Sequence, residues 1–503
     1  MMNGELVGGL DVGTTRCKIT LYTVDGKYVD SSYKEYNINR SNGLHEIDAS
    51  TIKDSVFSVI SECARRHKNI QGIGVTSFGE SFVMLDENDT PIFPIMLYTD
   101  PRGERECEEI LSLFDGKALT KTVGVAPHSM YSLPKIMWIK NNHPEVYERA
   151  KCILLISDYI SYLLTGVRRI DYSLASRTMA FDIENKCFYT ELLEKLGIDA
   201  GLFSTPVATG SIVGKVKMDV AQAIGLSEST VVVTGCHDQI ASAIGAGALD
   251  AGEAVDGSGT VECVTPIFDA PPMDESFYGM GYPTVPFGAE GKYTTYALSF
   301  AGGAALKWYK DNFAKHLDKN AYAMLDSSIS DEPTGILVMP HFAGAGNPYM
   351  DNASRAAFIG LTLEHTAGDV YKAIMEGVAY EMRQSLEAIR PLGVAPIMLY
   401  ATGGGARSKK WLQIKADITG LPIVPIEAKE IGAQGMCMMV AVSLGYYKTL
   451  AEAKGAFVKS DDTVYPIEAN KIKYDGYYKA YKKIYGLVRP LIKETEKQNA
   501  DNT

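Results

Sequence analysis

Apolar side chains recur along this chain with two periods, one typical of strands and one typical of helices. The β-branched run at residues 231–234 predicts a buried strand, which Gly235 is expected to end. A helix of small residues is predicted after it, at 240–248. Near the amino terminus, residues 7–22 predict a β-hairpin whose second strand, 17–23, alternates apolar and polar side chains. Strands and helices therefore follow one another, which predicts an α/β protein.

The second half of the chain continues this alternation after a break. A strand is predicted at 292–300, and another at 397–401 runs into three consecutive glycines and then a helix. Residues 248–252 are the expected boundary between the halves. The sequence therefore predicts two domains, residues 1–249 and residues 250–503.

Composition narrows the class of protein. The chain has 503 residues, 46% hydrophobic and 22% charged, which is typical of a large globular protein. Its net charge of −12 disfavours a nucleic-acid binder, and no apolar run is long enough to suggest a membrane span. The eight cysteines are scattered without a C-x-x-C pair, so we expect reduced thiols and a cytoplasmic location.

Two short stretches could bind phosphate in the same way. Asp11 is followed by a turn that carries Thr14 and Thr15, and Asp256 begins a similar run that ends in Gly259 and Thr260. We interpret both as hairpin tips, since an alternating strand follows each one. Backbone N–H groups and hydroxyls in tight turns are the donors that phosphate needs. A plain turn is the alternative for each stretch taken alone.

Three further positions carry candidate chemistry. Asp238 follows the strand at 231–234, where ligands bind in open α/β sheets, and a carboxylate there can act as a general base. The alternative is an ordinary helix N-cap. Glu80 lies in a predicted turn at 77–81, where a solvated loop acid is the alternative. The glycine run 403–405 would let a nucleotide approach the backbone closely at a helix terminus.

Taken together, these stretches resemble the FGGY carbohydrate kinases, a family that includes xylulokinases and glycerol kinases. The resemblance runs from residue 10 to about residue 445. It implies two actin-like (ribonuclease H-like) domains, with ATP and a sugar meeting in the cleft between them. The matching stretches are 11–18, 74–86, 98–102, 237–238, 259–260, 348–361 and 403–417.

The resemblance also implies a role for each matching residue. Asp238 would be the catalytic base, and Asp11 and Asp238 would hold Mg²⁺. Gly79, Glu80, Asp238 and Gln239 would face the sugar. Lys409 stands where glycerol kinases have asparagine. The residues implied to bind ATP are Thr14, Thr15, Gly259, Thr260, Gly303, Gly404, Gly405 and Lys409.

The sugar-facing turn differs from both relatives. This chain has Gly79-Glu80, where glycerol kinases have Arg-Glu and xylulokinases have Met-His. A carboxylate accepts strong hydrogen bonds from hydroxyls, so we expect a ketose such as xylulose as the substrate. A glycerol-like polyol and an actin-like ATPase without a sugar acceptor are the alternatives. The expected partners are a small sugar or polyol, without nucleic acid or membrane, and a homodimer is left open.

Overall fold

The computed structural model describes residues 4–289, 291–315, 317 and 320–501. The strands of the first half are Leu6–Val12 (β1), Arg16–Thr23 (β2), Tyr28–Glu35 (β3), Glu46–Ile47 (β4), Ile70–Ser77 (β5), Phe82–Leu85 (β6), Ile95–Met96 (β7), Cys152–Leu155 (β8), Arg169–Asp171 (β9), Phe181–Asp182 (β10), Cys187–Phe188 (β11), Thr205–Val207 (β12), Ile212–Lys215 (β13) and Val231–His237 (β14). The helices of this half are Ala49–Arg66 (α1), Glu104–Leu113 (α2), Gly116–Val123 (α3), Ser132–Asn142 (α4), Pro144–Arg149 (α5), Ile156–Thr165 (α6), Tyr172–Ser176 (α7), Thr190–Lys195 (α8), Met218–Ile224 (α9) and Asp238–Ala246 (α10).

The second half repeats the mixture of strands and helices. Its strands are Glu253–Ser258 (β15), Glu262–Phe268 (β16), Val285–Pro286 (β17), Tyr293–Thr294 (β18), Ala297–Ser299 (β19), Leu337–Met339 (β20), Ala357–Ile359 (β21), Met398–Gly403 (β22), Ile423–Glu427 (β23) and Lys459–Ser460 (β24). Its helices are Glu275–Gly279 (α11), Gly303–Phe313 (α12), Ala321–Ser328 (α13), Ala367–Ile389 (α14), Lys409–Thr419 (α15), Ile431–Ser443 (α16), Leu450–Phe457 (α17), Glu468–Tyr481 (α18) and Ile484–Asp501 (α19).

Two sheets share one pattern. The first has the strand order β13-β14-β5-β1-β2-β3, with β1, β5 and β14 parallel and the β1–β2 hairpin antiparallel. The second has the order β17-β18-β16-β15-β22-β23-β24, with β15, β22 and β23 parallel and the β15–β16 hairpin antiparallel. In each sheet a hairpin therefore stands beside parallel strands, and the carboxyl ends of those strands meet at one edge.

Helices α10 and α16 lie between the two sheets. Their apolar side chains share one buried cluster with Val7 and Val233 of the first sheet and with Val255 and Tyr400 of the second. The contacts are close because the facing residues are small. A Cβ atom added at Gly435 would lie only 2.1 Å from the Ala241 carbonyl oxygen. Glycine therefore lets α16 pack against the backbone of α10.

We expect Gly435→Ala to lower the free energy of unfolding by about 1–3 kcal/mol, because an added methyl overpacks this contact. Gly476 is the matched control, since it is also inside a helix but a Cβ there would meet nothing within 4 Å. Gly476→Ala should instead stabilise the protein by about 0.5–1 kcal/mol. Urea unfolding measures both variants. Equal stabilisation of the two would contradict the close packing of α16 on α10.

The structure corrects three sequence predictions. Gly235 does not end its strand, since β14 continues through two more residues to His237. The single strand predicted at 292–300 is two short strands, β18 and β19. Asp256 does not lie at a hairpin tip, because its pairing with Val264 and Ala401 keeps it inside β15. Within the described residues, no helix combines the length and apolar character needed to cross a bilayer.

Candidate active site

The candidate site lies where the parallel strands of the first sheet end. Val12 of β1 pairs with Ser77 of β5, and Ser77 pairs with His237 of β14. The segments that follow these three residues therefore start side by side. They carry the first hairpin tip, the turn with Glu80, and Asp238. The predicted catalytic, metal and sugar residues of the first half thus lie along one sheet edge.

Asp238 is the first residue of α10, but it does not cap that helix. His237 is the cap residue, and its Nδ1 accepts the Gln239 N–H at 3.4 Å. The Asp238 side chain is 39% exposed, whereas its Oδ1 is buried without a hydrogen bond and lies 3.2 Å from His237 Nδ1. Burial, reinforced by the charge of Arg177, lowers the His237 pKa to about 3. The imidazole is therefore neutral and does not form an ion pair with Asp238.

Asp11 and Asp238 repel each other. Burial raises the Asp11 pKa to about 7, and the negative charges of Asp238 and Glu430 add to that rise. Burial also raises the Asp238 pKa, to about 6. Two such carboxylates suit Mg²⁺, which is commonly held by one or two carboxylates together with water and phosphate oxygens. Among the described residues, no group of three or more acidic, histidine or cysteine side chains forms a metal site of its own.

The first hairpin tip presents hydroxyls from a braced turn. Its Gly13 N–H donates to the Arg16 carbonyl at 2.8 Å. Tyr36 holds the tip from behind, because its hydroxyl donates to the Gly13 carbonyl and its N–H donates to the Thr15 carbonyl at 2.9 Å. Thr14 is half-buried and Thr15 is exposed. The two threonines are therefore accessible to a ligand on a fixed loop.

The second hairpin tip is braced by a helix. Gly259 and Thr260 are exposed, and their carbonyl oxygens accept the N–H groups of Gly303 and Ala304 at 2.9 and 3.0 Å. A Cβ at Gly303 would lie 2.6 Å from the Gly259 oxygen, so glycine is needed for this approach. The predicted residues Gly259, Thr260 and Gly303 are thus brought together at the start of α12.

Asp256 belongs to a buried polar group beneath this second tip. Lys415 donates to Asp256 Oδ2 at 2.8 Å and also to Ser258 and Glu262. All four residues are almost fully buried, and we call them the Lys415 cluster. Burial and the Asp256 charge raise the Glu262 pKa well above its usual range. Sequence reasoning missed this cluster because Lys415 lies at least 153 positions from each of the other three residues.

The glycine run packs onto the same hairpin. A Cβ at Gly405 would lie 2.5 Å from the Ser258 Cβ, and the run reaches α15 through a 3₁₀ turn at Gly405–Arg407. The predicted helix therefore starts later than expected, at Lys409. Gly404 and Lys409 line a cleft of about 1170 Å³. Arg16 and Gln434 stand among its other lining residues. The residues that line this cleft come from both halves of the chain.

Glu80 is not a solvated loop acid. It is 4% exposed, has a positive φ of 66°, and its Oε1 accepts the Arg177 Nε–H at 2.6 Å and a second N–H from Nη2. Ser132 Oγ donates to the Glu80 carbonyl at 2.6 Å. Gln239 is half-buried beside Asp238. Sequence reasoning missed Arg177, for which the only signal was an arginine among the small residues of 173–178.

Comparison with known proteins identifies the family of this chain. The model of the FGGY family of carbohydrate kinases matches residues 6–245 with its N-terminal domain and residues 275–444 with its C-terminal domain. The chain is 28% identical to a xylulose kinase of Staphylococcus epidermidis, over 97% of this chain and 98% of the relative. It is 29% identical to a gluconokinase of Bacillus subtilis, over 88% of this chain and 87% of the relative.

A solved structure gives the same fold. The crystal structure of xylulose kinase from Rhodospirillum rubrum matches with a TM-score of 0.89 and 24% identity, over 97% of this chain and 100% of that one. This confirms the predicted fold class, α/β with two actin-like domains. The two family models together span most of the chain. The chain therefore belongs to the FGGY family of carbohydrate kinases.

Proposed function

We propose that this carbohydrate kinase transfers the γ-phosphoryl group of ATP to a hydroxyl of a small neutral sugar, most simply a ketose such as xylulose. One observation carries this proposal. Asp238 Oδ1 is buried and has no hydrogen bond, and it lies at the sheet edge that also holds the tip of the first hairpin. In the reaction, Asp238 accepts the hydroxyl proton, the sugar oxygen bonds to the γ-phosphorus, and the bond to the ADP oxygen breaks.

The remaining predicted residues bind and orient the nucleotide. Thr14, Thr15 and Thr260 stand on the two accessible tips and would donate to phosphate oxygens. Gly259 is exposed beside Thr260, but its N–H already donates to the Val261 carbonyl at 3.0 Å, so it would instead let a phosphate approach the backbone closely. Gly303, Gly404, Gly405 and Lys409 would contact the rest of ATP. Asp11 and Asp238 would hold Mg²⁺, which when bound neutralises phosphate charge. Each of these roles is supported by the position of the residue, which lies near the carboxyl ends of the parallel strands of its sheet or packs against the hairpin tip there.

The charge of the sugar site supports a neutral substrate. Glu80 and Arg177 form a buried ion pair and so neutralise each other, and Asp238 adds a negative charge nearby. A sugar carboxylate would meet that negative charge without a matching cation. The relative named xylulose kinase agrees with this view. The relative named gluconokinase makes an acidic sugar the first competitor to exclude.

Two other functions would use parts of the same site. A polyol would satisfy the same hydroxyl-binding groups. An actin-like ATPase without an acceptor would use the same hairpins, but it would have little use for the buried pair of Glu80 and Arg177.

We also propose a cytoplasmic location, which rests on the scattered cysteines of the sequence. Assembly as a homodimer stays a prediction.

A panel assay tests the proposed function. We expect one neutral ketose to raise ADP release from Mg-ATP well above the basal rate, with xylitol, glycerol and gluconate weaker at equal concentration. Xylulose and ribulose are the first ketoses to include. A stronger response to gluconate would contradict the neutral-substrate proposal. Steady hydrolysis that no sugar accelerates would contradict the kinase proposal and favour the ATPase.

A further inference from the structure

We propose that Arg177 binds the sugar directly through its Nη1, next to the hydroxyl that Asp238 deprotonates, and that glycine at position 79 makes room for it. This inference rests on the proposed sugar kinase function. It assigns a specificity role to a residue that the sequence pattern did not single out. Three observations support it: Arg177 has a hydrogen-bond donor without a partner, its guanidinium is held in a fixed direction, and its side chain lies close to Gly79.

The first observation is the hydrogen bonding of Arg177. Its Nε and Nη2 both donate to Glu80, whereas its Nη1 is buried and has no hydrogen-bond partner among the described residues. The whole residue is only 5% exposed. A buried cationic N–H without an acceptor is costly, and an oxygen atom of a bound ligand would complete it. In the same region Asp238 Oδ1 is a buried acceptor without a donor.

The second observation is how the guanidinium is held. It lies over the Tyr131 ring at 5.1 Å and over the Tyr296 ring at 5.8 Å. Tyr296 comes from the second half of the chain, and its hydroxyl lies 3.1 Å from His237 Nδ1. Arg177 is therefore fixed in direction by Glu80 and two rings, close to the residue that precedes Asp238. A fixed guanidinium is suited to recognise oxygen atoms by geometry.

The third observation concerns position 79. A Cβ at Gly79 would lie 2.8 Å from Arg177 Cγ and 3.1 Å from both Arg177 Cβ and His237 Cδ2. Any side chain there would displace the arginine or the histidine. Gly79 and Arg177 are therefore linked by steric fit, and the glycine is needed for the present direction of Nη1.

The chemistry of these two free atoms suits a polyhydroxylated ligand. Nη1 can donate to a lone pair of a sugar carbonyl or hydroxyl oxygen, and Asp238 can accept the proton of the neighbouring hydroxyl. The ion pair with Glu80 offsets the charge of the guanidinium, so a neutral sugar oxygen is the fitting acceptor. Arg177 would thus set which hydroxyl lies against Asp238.

The test uses variants that keep the charge balance. Arg177→Met alone would leave Glu80 buried without its partner, so the double variant Arg177→Met/Glu80→Gln removes the pair together. We expect the KM for the sugar to rise about 10–100-fold, as for the loss of a hydrogen bond from a charged group, with the KM for ATP changed less than about twofold. Gly79→Ala, which keeps both members of the ion pair but pushes on Arg177, should raise the same KM by a smaller factor.

A half-buried arginine elsewhere, also held by carboxylates and a ring, is the matched control. Arg102 is paired with Asp100 and Glu46 and lies over the Trp138 ring at 5.0 Å. Arg102→Met should change the melting temperature without changing the KM for the sugar. Sugar binding without turnover is followed by the rise in melting temperature that the sugar produces in the absence of ATP, and the double variant should lose most of that rise.

The outcomes separate this inference from the proposed function. An active wild-type enzyme whose double variant keeps its KM for the sugar, or keeps the sugar-induced rise in melting temperature, would show that Arg177 is only structural. A wild-type enzyme that no sugar stimulates would overturn the proposed function and this inference with it. A selective loss of sugar affinity in the double variant that Glu80→Gln alone does not show supports the role of Arg177, whereas an equal loss in Glu80→Gln would assign the effect to Glu80.

Discussion

Asp238→Asn is expected to lower kcat with the preferred sugar by about 10²–10⁴-fold, because the amide cannot accept the hydroxyl proton. The substitution preserves shape, so sugar binding should persist and be seen as a sugar-induced rise in melting temperature. The melting temperature itself should not fall. Burial raises the Asp238 pKa to about 6, which means that its charged form is less stable in the fold than in the unfolded chain.

Asp219 provides a matched control for this measurement. It is also an acid in the first turn of a helix, α9, and it is exposed. Asp219→Asn should leave kcat within about twofold, as is usual for surface substitutions. If Asp238→Asn kept more than about a tenth of the wild-type kcat, below the usual contribution of a general base, another group would have to act as the base.

Lys415→Met is expected to lower the free energy of unfolding by about 3–5 kcal/mol. The substitution leaves Asp256 and Glu262 buried beneath the second hairpin tip without their cation. Because the hairpin rests on this cluster, the KM for ATP should rise as well. Urea unfolding and nucleotide-dependent kinetics measure the two effects.

Lys410 on the same helix is the control for this second prediction. Its ion pair with Asp331 is exposed, so Lys410→Met should change the free energy of unfolding by less than about 1 kcal/mol. A second comparison removes the stranded charges. The triple variant Lys415→Met/Asp256→Asn/Glu262→Gln should regain part of the lost stability. If Lys415→Met were as stable as Lys410→Met, the cluster would not support the hairpin.

Local patterns predicted the elements and the edge where the candidate site lies. The β-branched run at 231–234 identified β14 because strands buried on both faces have continuous apolar sequences. Asp11, Glu80 and Asp238 were identifiable because each follows or ends a strand whose carboxyl end faces the same edge. Short-range sequence thus contains most of the information about which residues lie at this edge of the sheet.

Pairings between distant residues were not predictable. Glu80 and Arg177 are 97 positions apart, and Lys415 lies 153 positions from Glu262. No local period relates such residues, since their meeting depends on how the sheets and helices pack. Asp256 was misplaced for a similar reason. Asp-Gly is a common turn signal, but pairing with β22 on the other side extends the strand past that point.

The position of α16 has a consequence for the order of events on the ribosome. The strands of the first sheet have all been made once residue 237 is added, yet the helix that packs on β1 and α10 ends about 200 residues later, at Ser443. At about 5–20 residues per second, this delay lasts roughly 10–40 s. Throughout that time the nascent chain carries an uncovered strip of glycine backbone and apolar side chains. The amino-terminal half is therefore expected to need a chaperone, or the arrival of α16 from the second half, before it can reach the native state.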